Sequence, residues 1–339
     1  MKRRWQNSWR LAAVLLATAA LGAAETRTMP SPGTVNYVEG QVALNGEGLT
    51  AKSAGTALLD VNQVLDTGQG KAEILLTPGV FLRLGDNSEL KMISPSLADT
   101  KVQLVKGSAM LEVAEWLKEN NLVVANNGAT TTIEKNGLYA FNADQPSVSV
   151  LDGKAVVAEG DEHTSVKKDH QVLLNSGQRL KSTKFDKDAM ESDSLYRWSK
   201  LRSQYLAQAN VETARTVVVD GGFYGAGWYW NPYWNFYSFL PGSGILYSPF
   251  GWGFYSPAYI WRAPIGYGFG YYRYPARTMP RGEYGRGAPG RHLSPVVPRV
   301  HPNRPIAPRA PRVEVPRMAP SHNFAPHSGG GRSGGFGRR

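Results

Sequence analysis

The chain has 339 residues, enough for two domains or for one domain with long appendages. It contains no cysteine, which excludes a disulfide framework, a thiolate metal site and a lipid-modified N-terminal cysteine. The formal net charge is +11, but fourteen Arg against two acids (Glu283, Glu314) put +12 beyond Asp220 and leave −1 for residues 1–220, so the question of nucleic acid concerns the tail alone.

The first element is a leader. Lys2, Arg3, Arg4 and Arg10 precede an apolar run from Leu11 to Leu21, and Gly22-Ala23-Ala24 offers small residues for cleavage. This pattern predicts a secretory signal peptide over residues 1–24, with the mature chain beginning near Glu25. The run falls short of the roughly 20 residues a membrane helix needs, so no membrane span is expected after cleavage. The protein is expected to be exported, to the periplasm or the outer cell envelope.

Residues 33–185 read as short strands. In "TVNYVEGQVALNG" the apolar Val35, Tyr37, Val42 and Leu44 alternate with polar residues, and "AEILLTPGVFLRLGDNSELKM" repeats the pattern around turns at Pro78-Gly79 and Gly85-Asp86-Asn87. Three stretches resemble one another: "VNYVEGQVALN", "VQLVKGSAMLEV" and "VSVLDGKAVVAEG". Each is strand, charged residue, glycine (Gly40, Gly107, Gly153), strand, and each glycine is expected at a hairpin turn with positive φ. The fold class is all-β, an elongated stack of short hairpins in which neighbours bury what one unit leaves exposed. The pattern leaves a two-layer sandwich and a solenoid-like stack open.

These residues carry a family resemblance. "GTVNYVEGQVALNG", "VLDTGQGKAEILLTPGVFLRLGDNSEL", "VQLVKGSAML", "NGLYAFN", "VSVLDGKAVV" and "LNSGQRL" together resemble the FecR domain of bacterial envelope proteins. The matching points are Gly33, Gly40, Thr67-Gly68, Gly79, Ser88, Gly107, Gly137-Leu138-Tyr139, Asp152-Gly153-Lys154 and Gly177-Gln178. The resemblance implies an envelope protein. FecR proteins proper are membrane-spanning regulators of a sigma factor that respond to an iron-siderophore transporter. That role needs a cytoplasmic segment, and the ten residues before the apolar run are too few to form one.

After Lys184 the period changes. Over residues 186–212 the spacing of Leu195, Trp198, Leu201 and Tyr205 predicts one amphipathic helix docked on the β-domain, capped by Ser192 or Asp193. Acids precede bases along it, as the helix dipole favours. "RTVVVDGG" reads as one further strand. Residues 213–275 form an aromatic, Gly/Pro-rich segment whose densest part, "GWYWNPYWNFYSF", has eight rings in thirteen residues. No charge separates Asp220 from Arg262, yet Pro232, Pro241, Pro249 and Pro257 forbid a continuous membrane helix. Residues 276–339 are Arg, Pro and Gly-rich and are expected to be disordered, partly as polyproline II.

Nothing in the pattern argues for an enzyme, and no cofactor or metal is expected. His163 and His170 lie in "GDEHTSVKKDH" and read as solvated loop histidines, since seven residues apart in a loop is no ligand spacing. The acids sit at turns without forming a catalytic pair. "SGGGRSGGFG" lacks the strand–turn–helix setting of a phosphate loop. The Arg-rich tail could bind nucleic acid through counterion release. In an exported protein, however, nucleic acid is not the expected partner, and the tail reads either as solvated or as a ligand for anionic lipid, lipopolysaccharide or acidic glycan. The aromatic segment has three readings: a lid on the β-domain, a disordered sticky segment, or a platform of Trp228, Trp230, Trp234, Trp252 and Tyr255 for an envelope glycan, lipid surface or protein. Partial folding against the domain, with the remaining rings exposed, is the expected outcome. The resulting expectation of function is a non-enzymatic binding or scaffolding module of the cell envelope.

Overall fold

The computed structural model describes residues 30–174 and 179–264. The expected signal peptide, the Gly177-Gln178 match, the end of the aromatic segment and the basic tail lie outside the described residues.

The alternating runs form strands that join into a single 15-stranded sheet. In chain order they are β1 (Val35–Leu44), β2 (Glu47–Gly48), β3 (Val64–Leu75), β4 (Val80–Leu84), β5 (Glu89–Ser96), β6 (Asp99–Lys106), β7 (Ser108–Val113), β8 (Asn121–Asn126), β9 (Ala129–Ile133), β10 (Gly137–Asn142), β11 (Ser147–Asp152), β12 (Lys154–Glu159), β13 (Glu162–Lys167), β14 (His170–Leu173) and β15 (Thr183–Lys184). The sheet runs β13-β12-β9-β8-β6-β5-β3-β4-β7-β10-β11-β14-β15, with β1 and β2 off this path. All pairs are antiparallel except β6 with β8.

The sheet folds over on itself. β3 pairs with β5 through Val64–Asp66 and with β4 through Ala72–Leu75, so one long strand belongs to both halves. Inward residues of both halves, among them Val102, Leu104, Val124, Val157, Tyr139, Phe141 and Val150, form one apolar core. The expected all-β stack is thus built from one continuous sheet whose two halves face a common core.

The three glycine-centred repeats mark the crease rather than hairpin turns. β6 and β7 flank Gly107 but do not pair: β6 bonds to β5 and β8, while β7 bonds to β4 and β10. β11 and β12 flank Gly153 in the same way, and at Gly40 the strand β1 continues with a register shift. Each repeat is thus one bent strand crossing between layers. Positive φ (75° at Gly107, 97° at Gly153) and tight approach impose glycine, since a Cβ would meet the Ser88 side chain at Gly107 and the Tyr139 hydroxyl at Gly153. Thr67 and Ser88 tie the corner: Ser88 N–H donates to Thr67 Oγ1 (2.8 Å), and Ser88 Oγ accepts from Ser108 N–H (2.9 Å).

Two helices follow, α1 (Lys187–Ser192) and α2 (Ser194–Asp220). Asp186 caps the first, and Asp193 caps the second by accepting from Leu195 and Tyr196 N–H at 2.8 and 3.0 Å. Two corrections arise here. "RTVVVD" is not a strand: α2 runs through it and stops at Gly221, whose φ is 75°. The β-branched penalty is only a few tenths of a kcal/mol per residue, and a helix already anchored along Leu195–Ala214 overrides it. The buried stripe also differs from the expected one. Leu195 is buried as expected, but Leu201 is exposed and Trp198 and Tyr205 are half-buried, and the covered face continues through Ser199, Arg202, Ser203, Leu206, Ala207, Asn210 and Thr213.

The aromatic segment folds into two hairpins, β16 (Gly227–Asn231) with β17 (Phe236–Leu240), and β18 (Ile245–Tyr247) with β19 (Gly253–Tyr255). A 3-10 turn follows over Pro257–Arg262. His163 lies on β13 and His170 begins β14, so these histidines sit on strands rather than in a loop.

Candidate binding site

The outer face of β3, β4 and β7 carries Glu73, Arg83 and Glu112 between Leu75, Phe81 and Ala114. All three charged residues are fully buried because α2 and the hairpins cover this face. Arg83 Nε donates to Glu73 Oε2 (2.9 Å) and its Nη1 donates to Glu112 Oε2 (2.6 Å). From α2, Arg202 Nη2 donates to Glu73 Oε1 (2.9 Å), and Ser203 Oγ donates to Glu112 Oε1 (2.7 Å). Ser248, between β18 and β19, donates to the same oxygen at 2.6 Å. The Arg202 guanidinium also lies 4.0 Å from the Tyr37 ring centroid and 4.6 Å from that of Phe236.

Two carboxylates and two guanidiniums make this cluster neutral, which burial requires. Burial alone would raise the Glu73 carboxyl; Arg202 and Arg83 outweigh it and hold Glu73 below the usual carboxylate range. Burial likewise opposes the charge on Arg83, and Glu112 and Glu73 outweigh it in the other direction.

Three buried asparagines sew the aromatic hairpins down. Asn36 accepts from Tyr237 N–H (2.8 Å) and donates to Tyr237 O (3.0 Å), as a neighbouring strand would. Asn210 accepts from Tyr255 N–H (2.8 Å) and donates to Phe239 O (2.8 Å) and Tyr255 O (3.0 Å). Asn231 donates to Thr213 Oγ1 (3.1 Å) and accepts from Tyr233 and Trp234 N–H. Between these pins, Phe81, Trp228, Phe239 and Phe254 pack mostly edge to face, with centroids 5.1–6.1 Å apart.

The five expected platform residues separate on this scaffold. Trp228 (4% exposed) and Tyr255 (6%) are core side chains, in two different apolar clusters. Trp230, Trp234 and Trp252 pack half-exposed against the cluster of Trp228. The sequence reading missed Tyr224, Tyr229 and Tyr233. These three join Trp228 and Trp230 around a cleft of about 480 Å³ between α2 and the β16–β17 hairpin, with Glu212 and Thr216 on the helix side. Tyr224 and Tyr229 stack at 4.4 Å, and Tyr233 is 81% exposed at the rim. Trp234 Nε1 donates to Glu212 Oε2 (2.7 Å), which fixes the carboxylate beside the cleft.

Residues 63–156 match the family model described as FecR protein, so the chain carries a FecR domain. That stretch runs from the start of β3 into β12 and includes the Thr67–Ser88 corner and two of the three layer-crossing glycines, Gly107 and Gly153. No curated protein matches the chain. Two crystal structures from Parabacteroides distasonis, each described as "a putative anti-sigma factor", are similar at 16% and 15% identity, both with a TM-score of 0.33. The similarity covers 36% of this chain and 60% of the length of each.

Proposed function

We propose that the protein is a non-enzymatic, exported binding or scaffolding module of the bacterial cell envelope. The observation that supports it best is the aromatic-walled cleft, which is built on a rigid, asparagine-pinned support. The converging charged groups Glu73, Arg83, Glu112 and Arg202 are committed to one another and act as architecture. Of the expected platform, Trp230 and the buried Trp228 line the cleft, Trp234 orients Glu212 beside it, and Trp252 and Tyr255 lie outside its lining. Among the described residues no helix is long and apolar enough to cross a membrane.

The test is retention of the tagged, full-length protein in washed envelope fractions. Replacing Trp230 and Tyr233 by Ala is expected to release it while the Glu73 cluster keeps the domain folded. Unchanged retention of that folded variant would overturn the reading. The FecR match favours a second reading, regulation of a sigma factor across the membrane. N-terminal sequencing of the protein from cells separates the two: a start near Glu25 removes the anchor that regulation requires.

A further inference from the structure

We propose that the cleft between α2 and the β16–β17 hairpin is a docking groove for a proline-rich, arginine-bearing peptide of a partner protein in polyproline II form. The proposal rests on the binding role given above and names its ligand class.

The first argument is what the walls leave available. The hydroxyl of Tyr224 donates to Trp228 O (2.8 Å), and that of Tyr229 donates to Gly225 O (2.8 Å) while accepting from Tyr224 N–H (3.0 Å). Thr216 Oγ1 donates to Glu212 O (3.1 Å), and Thr213 Oγ1 accepts from Asn231 Nδ2 (3.1 Å). The polar atoms of these side chains are therefore turned to the protein, and the lining of the cleft is mainly apolar. A sugar needs directional partners for its hydroxyls, and unmet polar groups cost affinity. Proline rings need only flat apolar faces, and polyproline II forms no internal hydrogen bonds that docking would have to break.

The second argument is charge. Glu212 is the one charged side chain among the described residues that line the cleft. Its carboxylate disfavours phosphate-bearing or acidic ligands and favours a cation beside the rings. Arginine suits both features, because its planar guanidinium pairs with carboxylates and stacks on aromatic faces. The size agrees, since about 480 Å³ lies within the roughly 300–1,000 Å³ of preformed sites.

The experiment uses the full-length protein and a fluorescein-labelled nonapeptide, three repeats of Pro-Pro-Arg, read by anisotropy. A Gly-Gly-Arg nonapeptide keeps the charge without the rings, and labelled chitotetraose stands for a glycan. We expect saturable binding of the first probe, at least about fivefold weaker binding of the second, and a loss of about fivefold in Glu212→Gln. The Gln side chain still accepts from Trp234 Nε1, so the change removes charge alone. Tyr233→Ala, at an exposed position, should weaken binding by about tenfold with an unchanged melting temperature. The proposal falls if Pro-Pro-Arg does not saturate, if Gly-Gly-Arg binds equally well, if both variants bind like wild type, or if only chitotetraose binds. Failure here with envelope retention intact would sink the peptide groove and leave the envelope role standing.

Discussion

Arg202 on α2 donates to Glu73 on β3 at 2.9 Å, a contact between residues 129 positions apart and both buried. It is the point at which the helix is tied to the outer face of the sheet, with Phe236 of the aromatic hairpins against the same guanidinium. Truncating one partner of a buried ion cluster strands the other, and such changes cost about 3–5 kcal/mol. Arg202→Ala is therefore expected to lower stability by that amount in urea unfolding, and Arg202→Lys by less. A lysine keeps the charge but loses the planar stack between Tyr37 and Phe236. Wild-type midpoints in both variants would mean that α2 docks through its apolar residues alone.

Acid should loosen the same cluster. Glu73 titrates below its ordinary value in the folded protein, so the unfolded chain binds that proton first as pH falls. Its contribution is complete above the unfolded value of about 4.3. It is lost as pH drops from there through the lower folded value. Glu115 has the opposite sign: burial raises its carboxyl, so its contribution is present at low pH and fades as pH rises through the folded value. The melting temperature should fall below about pH 4 in wild type. Glu73→Gln should start lower at pH 7 with a shallower acid limb, and Glu115→Gln should melt higher at pH 7. An acid limb of equal steepness in Glu73→Gln would assign the acid sensitivity to other carboxylates.

The sheet was legible in the sequence because period-two alternation is a local signal, and the repeats around Gly40, Gly107 and Gly153 were visible as repeats. Their meaning was not, because a glycine with positive φ serves a hairpin and a layer crossing equally well. Which one forms depends on strand partners far away in the chain. The docking face of α2 was hidden for a related reason. Arg202, Ser203, Asn210 and Thr213 look like solvent-facing residues until Glu73, Glu112 and the backbone of Phe239 and Tyr255 are placed opposite them. A faint signal existed in Glu73, Arg83 and Glu112, each a charge flanked on both sides by apolar residues. Only the structure shows Asn36 pairing with the backbone of Tyr237 as a strand would, and Asn231 reaching Ala209 O on the helix.

The crease gives a prediction that separates conformation from crowding. Gly107→Ala carries two penalties, about 1–2 kcal/mol for positive φ and about 1–3 kcal/mol for forcing a Cβ against Ser88. Gly46 has φ 82° with open space around it, so Gly46→Ala should carry only the first. Equal losses in the two variants, measured by denaturant unfolding, would mean that the corner relaxes without cost.

The aromatic hairpins make a prediction about individual rings. Trp228 is enclosed by Phe81 and Phe239, at centroid distances of 5.1 and 5.8 Å, whereas Trp261 is 72% exposed. Trp228→Ala should cost about 3–5 kcal/mol, as large-to-small changes in a core do. Trp261→Ala should leave the melting temperature unchanged. With a soluble quencher, native fluorescence should give a curved Stern–Volmer plot from accessible and protected rings. Trp261→Ala should remove part of the accessible fraction and Trp230→Ala a smaller part, since Trp230 lies half-exposed and edge-on to Tyr237 at 5.1 Å. A linear plot with full accessibility of every ring would contradict the packed hairpins, and with them the rigid support beneath the cleft.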